Sequence, residues 1–263
     1  MSTAFRAQSL FRRVRASARV ALETWRDPLW SVEPASPASH VNADPDSGFV
    51  RVPVPQLPSL RVPKRSHGDV NMLDTQLAFV EWAARHVRPS RFLEVGAYFG
   101  VTSCLLAQIA PLVVVEWFKG NREAGAGPWR SLPTDEKRRE TGFFSNLEAA
   151  GLRDRITVLA GDSHLILPTL RYERFTLALV DADHSYESAL ADIEDVWEVL
   201  EPGGILLLDD YSSIIVGGRE TSDVRAAWRS FARNRGLPPL PLYTSQHESD
   251  RPKTVAVLKP VNG

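Results

Sequence analysis

Cysteine is almost missing from this chain: of 263 residues only Cys104 is one. That excludes an internal disulfide, and no His/Cys spacing fits a zinc site. On an apolar helix a free cysteine is expected to pack as a small core residue, so a reducing compartment is the default. Charge of one sign is missing too, with 31 Lys+Arg against 32 Asp+Glu for a net charge of −1. This argues against a nucleic-acid partner recognised by the whole protein. No apolar run reaches the ~18 residues a bilayer span requires, and no hydrophobic signal core with a cleavage site is present. A cytoplasmic location is therefore expected. There is no internal repeat. What remains is ordinary: 43% hydrophobic and 24% charged residues, in a length that suits one substantial domain with extensions.

Three regions differ in composition. Residues 1–30 carry Arg6, Arg12, Arg13, Arg15 and Arg19, with Phe11, Val14, Ala18, Leu22 and Trp25 at helical spacing. This reads as a basic amphipathic helix, suited to a peripheral membrane contact, a subunit contact or packing on its own domain; an Arg-rich, acid-poor start also matches a transit peptide. Residues 31–68 lose the periodicity and gain Pro34, Pro37, Pro45, Pro53, Pro55, Pro58 and Pro63. Proline fixes φ and removes amide donors, so an extended, polyproline-like arm is expected, and such an arm invites homo-oligomer exchange. Residues 69–263 form the folded domain.

Within it, helices and apolar strands alternate. A helical stripe runs from Leu73 to Ala83, then come strand Phe92 to Val95, helix Thr102 to Ile109 and strand Leu112 to Val115. The polar stretch from Lys119 to Arg139 is expected to be a loop or insertion. Helix Phe143 to Ala150, strand Ile156 to Leu159, strand Leu177 to Val180, helix Tyr186 to Leu200 and strand Ile205 to Leu208 follow. Helix Ser222 to Arg235 and strands Leu240 to Thr244 and Thr254 to Leu258 close the chain. The alternation predicts a Rossmann-like, doubly wound α/β fold, and the last two strands, joined without a helix, predict an antiparallel edge.

Ligands of open α/β sheets bind outside the carboxyl ends of the strands. Glu94 to Gly100, Glu116, Asp162, Asp181 to His184 and Asp209–Asp210 all fall at such ends. Gly96 and Gly100 let the backbone turn sharply and come close to a ligand, and Glu116, about twenty residues on, suits the two hydroxyls of a ribose. An NAD-dependent dehydrogenase would share this logic, but it prefers Gly-x-Gly-x-x-Gly, and an acidic Glu94 would repel a pyrophosphate. A cationic ligand would welcome that acid.

Through Glu94-Val-Gly-Ala-Tyr-Phe-Gly100, Glu116 and Gly161-Asp-Ser163, the chain resembles the class I S-adenosylmethionine-dependent methyltransferases from about residue 69 to residue 259. The resemblance implies a mostly parallel seven-stranded sheet. It also implies Gly96 and Gly100 beside the methionine and ribose of the cofactor, Glu116 on the ribose, and Asp162 with Ser163 near the adenine; Trp117 is a candidate adenine platform or a rim residue. Asp181-Ala-Asp-His-Ser-Tyr-Glu187 and Leu208-Asp-Asp-Tyr211 are similar to the metal-dependent O-methyltransferases of sugars and natural products, and more distantly to catechol O-methyltransferase. That likeness implies Mg2+ on Asp181, Asp209 and Asp210, with His184 as general base. It further implies a small hydroxylated molecule as methyl acceptor. Three neighbouring carboxylates repel one another unless a cation sits among them, and all-oxygen ligation suits Mg2+. Asp183 reads equally as part of this set or as a helix cap. A non-catalytic cofactor-binding module, docked through its N-terminal arm, is the alternative from a different class.

Overall fold

The structure is a computed structural model that describes residues 49–62, 72–118, 136–212, 215–216, 219–220, 223–249 and 251–261. The basic helix expected at 1–30, the arm up to residue 48 and from 63 to 68, and the insertion up to residue 135 lie outside the described residues.

An eight-stranded sheet organises the chain. Its strands are β1 (Phe49–Val52), β2 (Phe92–Val95), β3 (Leu112–Glu116), β4 (Ile156–Ala160), β5 (Phe175–Val180), β6 (Leu200–Leu208), β9 (Leu242–Ser245) and β10 (Val255–Leu258). A two-stranded pair, β7 (Ile215–Val216) and β8 (Arg219–Glu220), stands apart from it. The helices are α1 (Asp74–Arg85), α2 (Val101–Ala107), α3 (Glu136–Ala149), α4 (Ser163–Ile166), α5 (Tyr186–Val199) and α6 (Asp223–Asn234).

The strand order is β1-β9-β10-β6-β5-β2-β3-β4. Only β10 is antiparallel to its neighbours, β6 and β9; every other pairing in this sheet is parallel. The antiparallel pairing expected at the chain's end is present, and β1 adds an eighth strand outside β9. Its Phe49 and Val52 are inside or half inside while Val50 and Arg51 face out, and a polar-out edge is one that water tolerates.

Side chains along each central strand alternate between two cores, as a sheet covered on both faces requires. Phe92, Leu112, Val114, Leu177, Leu179, Ile205 and Leu207 pack with Leu77, Phe79, Leu105 and Phe143 of α1, α2 and α3. Leu93, Val113, Val115, Ala178, Leu206 and Leu208 pack with Ile193, Trp197, Trp228 and Phe231 of α5 and α6. α3 begins at Glu136, inside the stretch expected as a loop, so its first turn is polar and its apolar face starts only at Phe143.

Candidate active site

The chain runs outward from β2 through β3 to β4, then returns to the other side of β2 with β5 and β6. A crevice therefore opens between β2 and β5, where ligands of such sheets bind. Register brings the strand ends level: Val95 pairs with both Val115 and Val180, and Val180 pairs with Leu208. The next residues, Gly96, Glu116, Asp181 and Asp209, consequently stand side by side. The backbone bonds Gly96 N to Val115 O (2.9 Å), Asp181 N to Val95 O (2.8 Å) and Asp209 N to Val180 O (3.1 Å) hold them there.

Gly96 has φ +84°, and a Cβ on it would sit 2.1 Å from the Asp181 carbonyl oxygen. The sequence suggested that this glycine admits a ligand; its most direct service is to let the turn of β2 touch the turn of β5. Gly100, at φ +74°, faces the Phe143 ring, which its Cβ would approach to 2.8 Å. Glu116 secures the same turn, since one of its oxygens accepts from Ala97 N (2.6 Å) and Tyr98 N (2.9 Å). Burial pushes the Glu116 carboxyl up despite those two donors.

Glu94 is placed differently from expectation. Strand alternation turns it onto the α2 face, where it is fully buried and its two oxygens accept from the hydroxyls of Thr102 and Ser103. Burial outweighs those bonds and pushes it up to about 8. It therefore influences a cationic ligand through its field at most, and not as a fully charged group in the crevice.

The second half of the site is an acid cluster at the ends of β5 and β6. His184 Nδ1 lies 2.8 Å from Asp210 Oδ2, and Nε2 lies 3.3 Å from Asp181 Oδ1. Asp181, His184 and Asp210 offer ligand atoms that all lie within 4.8 Å of one another. Partial enclosure lowers the His184 pKa, but the Asp181 and Asp210 contacts dominate and hold it well above the ordinary value. Asp210 adopts φ +50°, an uncommon backbone state for a residue with a side chain. Burial raises its carboxyl, but the His184 contact prevails and pulls it down. Asp209, 1% exposed, turns away: its Oδ1 accepts from Thr254 Oγ1 at 2.5 Å, and its Oδ2 lies 3.4 Å from Lys253 Nζ. Burial pushes it up.

Two residues here escaped sequence reasoning. Lys253 and Thr254 precede β10, and the antiparallel register Val255–Leu208 carries Thr254 beside Asp209 and Lys253 beside Asp210. The signal was a Pro-Lys-Thr run directly before the closing apolar strand, which means nothing until that strand's partner is known. Asp183 braces the approach to α5, whose N-cap is Ser185: its Oδ1 accepts from Ser185 N at 3.0 Å and its Oδ2 from Ser188 Oγ at 3.4 Å. Asp162 caps α4 by accepting from His164 N at 3.0 Å, next to Ser163. His164 stands 3.8 Å from both Asp162 and the buried Asp192. Trp117, beside Glu116, is 51% exposed at the crevice mouth. Tyr211 is fully buried and meets Phe49 of β1 edge-on at 6.1 Å.

A divalent cation fits the donors present. Carboxylate oxygens of Asp181 and Asp210 and a ring nitrogen of His184 converge within 4.8 Å, whereas Asp209 stands outside that group, its Oδ1 bonded to Thr254 and its Oδ2 facing Lys253. Among the described residues no helix is long and apolar enough to cross a membrane.

Comparison with known proteins agrees with this architecture. Residues 93–211 match a family described as a methyltransferase domain. Catechol O-methyltransferase of Mus musculus is 29% identical over 155 residues, which cover 57% of this chain and 51% of that protein. The enzyme of Sus scrofa is 30% identical over 137 residues, covering 50% of this chain and 65% of its own. The chain thus spans about half to two thirds of the length of the curated relatives it matches. In fold it is similar to the O-methyltransferase TomG of Streptomyces achromogenes, solved with S-adenosylmethionine, with a TM-score of 0.53 and 20% identity over 76% of this chain and 93% of that one. The residues that match the methyltransferase-domain family carry both the glycine turn and the acid turns, and the curated relatives to which the chain is similar are O-methyltransferases.

Proposed function

We propose that this protein transfers a methyl group from S-adenosylmethionine to a hydroxyl of a small molecule, a sugar or natural product, with Mg2+ assisting and His184 as general base. The observation that carries this reading is the meeting of the two turns: the Asp181 backbone abuts Gly96, so the acid cluster adjoins the crevice where the cofactor's methionine end belongs. Glu116 would take the ribose hydroxyls, Gly96 and Gly100 would flank the cofactor chain, and Asp162 with Ser163 would face the adenine.

Asp181, Asp209 and Asp210 would hold Mg2+, which when bound lowers the pKa of an acceptor hydroxyl and draws negative charge away from the imidazole. That help is needed. A free phenol of pKa ~10 and a histidine of ~6.5 differ by ~3.5 units, roughly 4.8 kcal/mol against proton transfer. His184 also keeps its proton while Asp181 and Asp210 both lean on it, and a base has to be neutral. Once neutral, the ring receives the hydroxyl proton. The oxygen then attacks the methyl carbon in line, the S–C bond breaks with its electron pair going to sulfur, and S-adenosylhomocysteine leaves. Much of the rate comes from holding the two reactants in line.

The test is a mass-based screen of hydroxylated acceptors with Mg2+ or with chelator. His184→Ala and Asp181→Asn are expected to lower turnover by about 100-fold or more while S-adenosylhomocysteine binds as in the wild type. Full activity in both variants would overturn the mechanism.

A further inference from the structure

The acid cluster contains a second cation of the chain's own. Lys253 Nζ lies 3.4 Å from Asp209 Oδ2 and 3.3 Å from Asp210 Oδ1. Its backbone is pinned at that spot, since Tyr211 N donates to Lys253 O at 2.8 Å and Lys253 N donates to Glu248 Oε2 at 3.3 Å. Asp209 is too buried to be screened by water, and the ammonium is the charge that faces its Oδ2. Two of the three carboxylates assigned to Mg2+ therefore already stand at ion-pair distance from a lysine.

We propose that Lys253 is a positioning residue, the built-in counter-cation of Asp209 and Asp210, and that it sets how tightly this cluster takes a divalent cation. The inference rests on the preceding reading that the cluster holds one. A divalent ion held by this cluster and the ammonium beside the same carboxylates would repel each other strongly at this range, so ion entry would be coupled to withdrawal of the ammonium. Withdrawal is open to this residue: the side chain is 28% exposed, and lysine carries its charge on a flexible four-carbon stem. Without a metal, the lysine spares Asp209 the cost of an uncompensated buried charge. The cluster then persists in both states, at the expense of metal affinity. A merely structural ion pair would stabilise the fold equally but would leave metal affinity unmoved.

The experiment is titration of the full chain with Mn2+ alone, followed by the loss of the free Mn2+ paramagnetic resonance signal, with melting curves recorded with and without Mn2+. Lys253→Met and Lys253→Gln are expected to bind Mn2+ about tenfold more tightly than wild type or better. Their melting temperatures should be lower without the ion, and Mn2+ should raise them more than it raises that of wild type. Lys253→Arg keeps the charge and should stay near wild-type affinity; should the Met variant fail to fold, the Gln and Arg pair carries the same contrast. Mn2+ affinity in the Met and Gln variants equal to or weaker than wild type overturns the role of Lys253 and leaves the metal reading standing. Absence of Mn2+ binding in every variant and in wild type overturns both.

Discussion

Gly96 and Glu94 sit two residues apart and do opposite things, one by having no side chain and the other by burying a charged one. A methyl group at Gly96 would meet the Asp181 carbonyl oxygen at 2.1 Å, with backbone on both sides unable to move aside. Gly96→Ala is expected to cost about 3 kcal/mol or more, from strain at φ +84° and the clash together. Urea unfolding measures that cost, and calorimetry should show S-adenosylhomocysteine binding lost with it. Glu94 is a matter of pH. Its carboxyl titrates at about 8 in the fold, against 4.5 for an ordinary side chain. Between those values the folded chain keeps a proton that the unfolded chain has released. The contribution is therefore complete below pH 4.5 and is lost as pH rises through 8. Relative to Glu94→Gln, wild type should lose stability steadily from pH 5 to pH 8.5, as followed by urea midpoints; a constant difference would mean that Glu94 is ionised throughout. Neither role was legible as such in the sequence. The motif marked both residues, but the face that Glu94 takes follows from strand alternation, and the neighbour of Gly96 lies 85 residues away.

Among the elements, the proline-rich stretch changed most between sequence and structure. Its prolines predicted extended chain; in the described stretch 49–62, Phe49–Val52 form a strand paired with β9, and the chain then bends at 56–57 and 59–60. Beyond the strand, Ser59 and Leu60 are fastened to α1 by Glu81, which is 5% exposed. Its oxygens accept from Ser59 N at 2.7 Å, from the Ser59 hydroxyl, from Leu60 N at 3.1 Å and from Arg85 Nε at 2.8 Å. Burial raises the Glu81 carboxyl, yet these donors together bring it below its ordinary value. Glu81→Ala is expected to cost about 1–3 kcal/mol, the range for orphaning buried donors. It should speed amide exchange across residues 50–60 and leave S-adenosylhomocysteine binding unchanged; unaltered exchange would show that β1 alone secures the strap. The start of α3 was missed for a related reason. Residues 136–142 carry no apolar stripe, and only the Phe143–Leu147 face, packed under Gly100, reveals the helix.

For the molecule as a whole, two cores on either side of one sheet make a rigid platform, and the cofactor crevice opens where the strand order reverses. A cofactor seated there as proposed would contact turns from β2, β3, β4 and β5 together, so it should stabilise the domain as a unit. At a concentration of 100 Kd, S-adenosylhomocysteine is expected to add about 2.7 kcal/mol, raising the melting temperature by roughly 5 °C or more. NAD should give no shift. A shift with NAD and none with S-adenosylhomocysteine would overturn the placement of the cofactor.

The sequence by itself determined the class of fold, the alternation of elements and the set of acids at strand ends, because hydrophobic period and turn chemistry are local properties of the chain. It determined nothing about which acids face one another. Whether Asp210 meets His184, whether Asp209 turns to Thr254 and Lys253, and whether Glu94 looks into the crevice or onto α2 depend on register between strands far apart in the chain. Only the tertiary structure decided these, since a strand's partner and its pleat fix which side chains share a face, and neither is written in the strand's own residues.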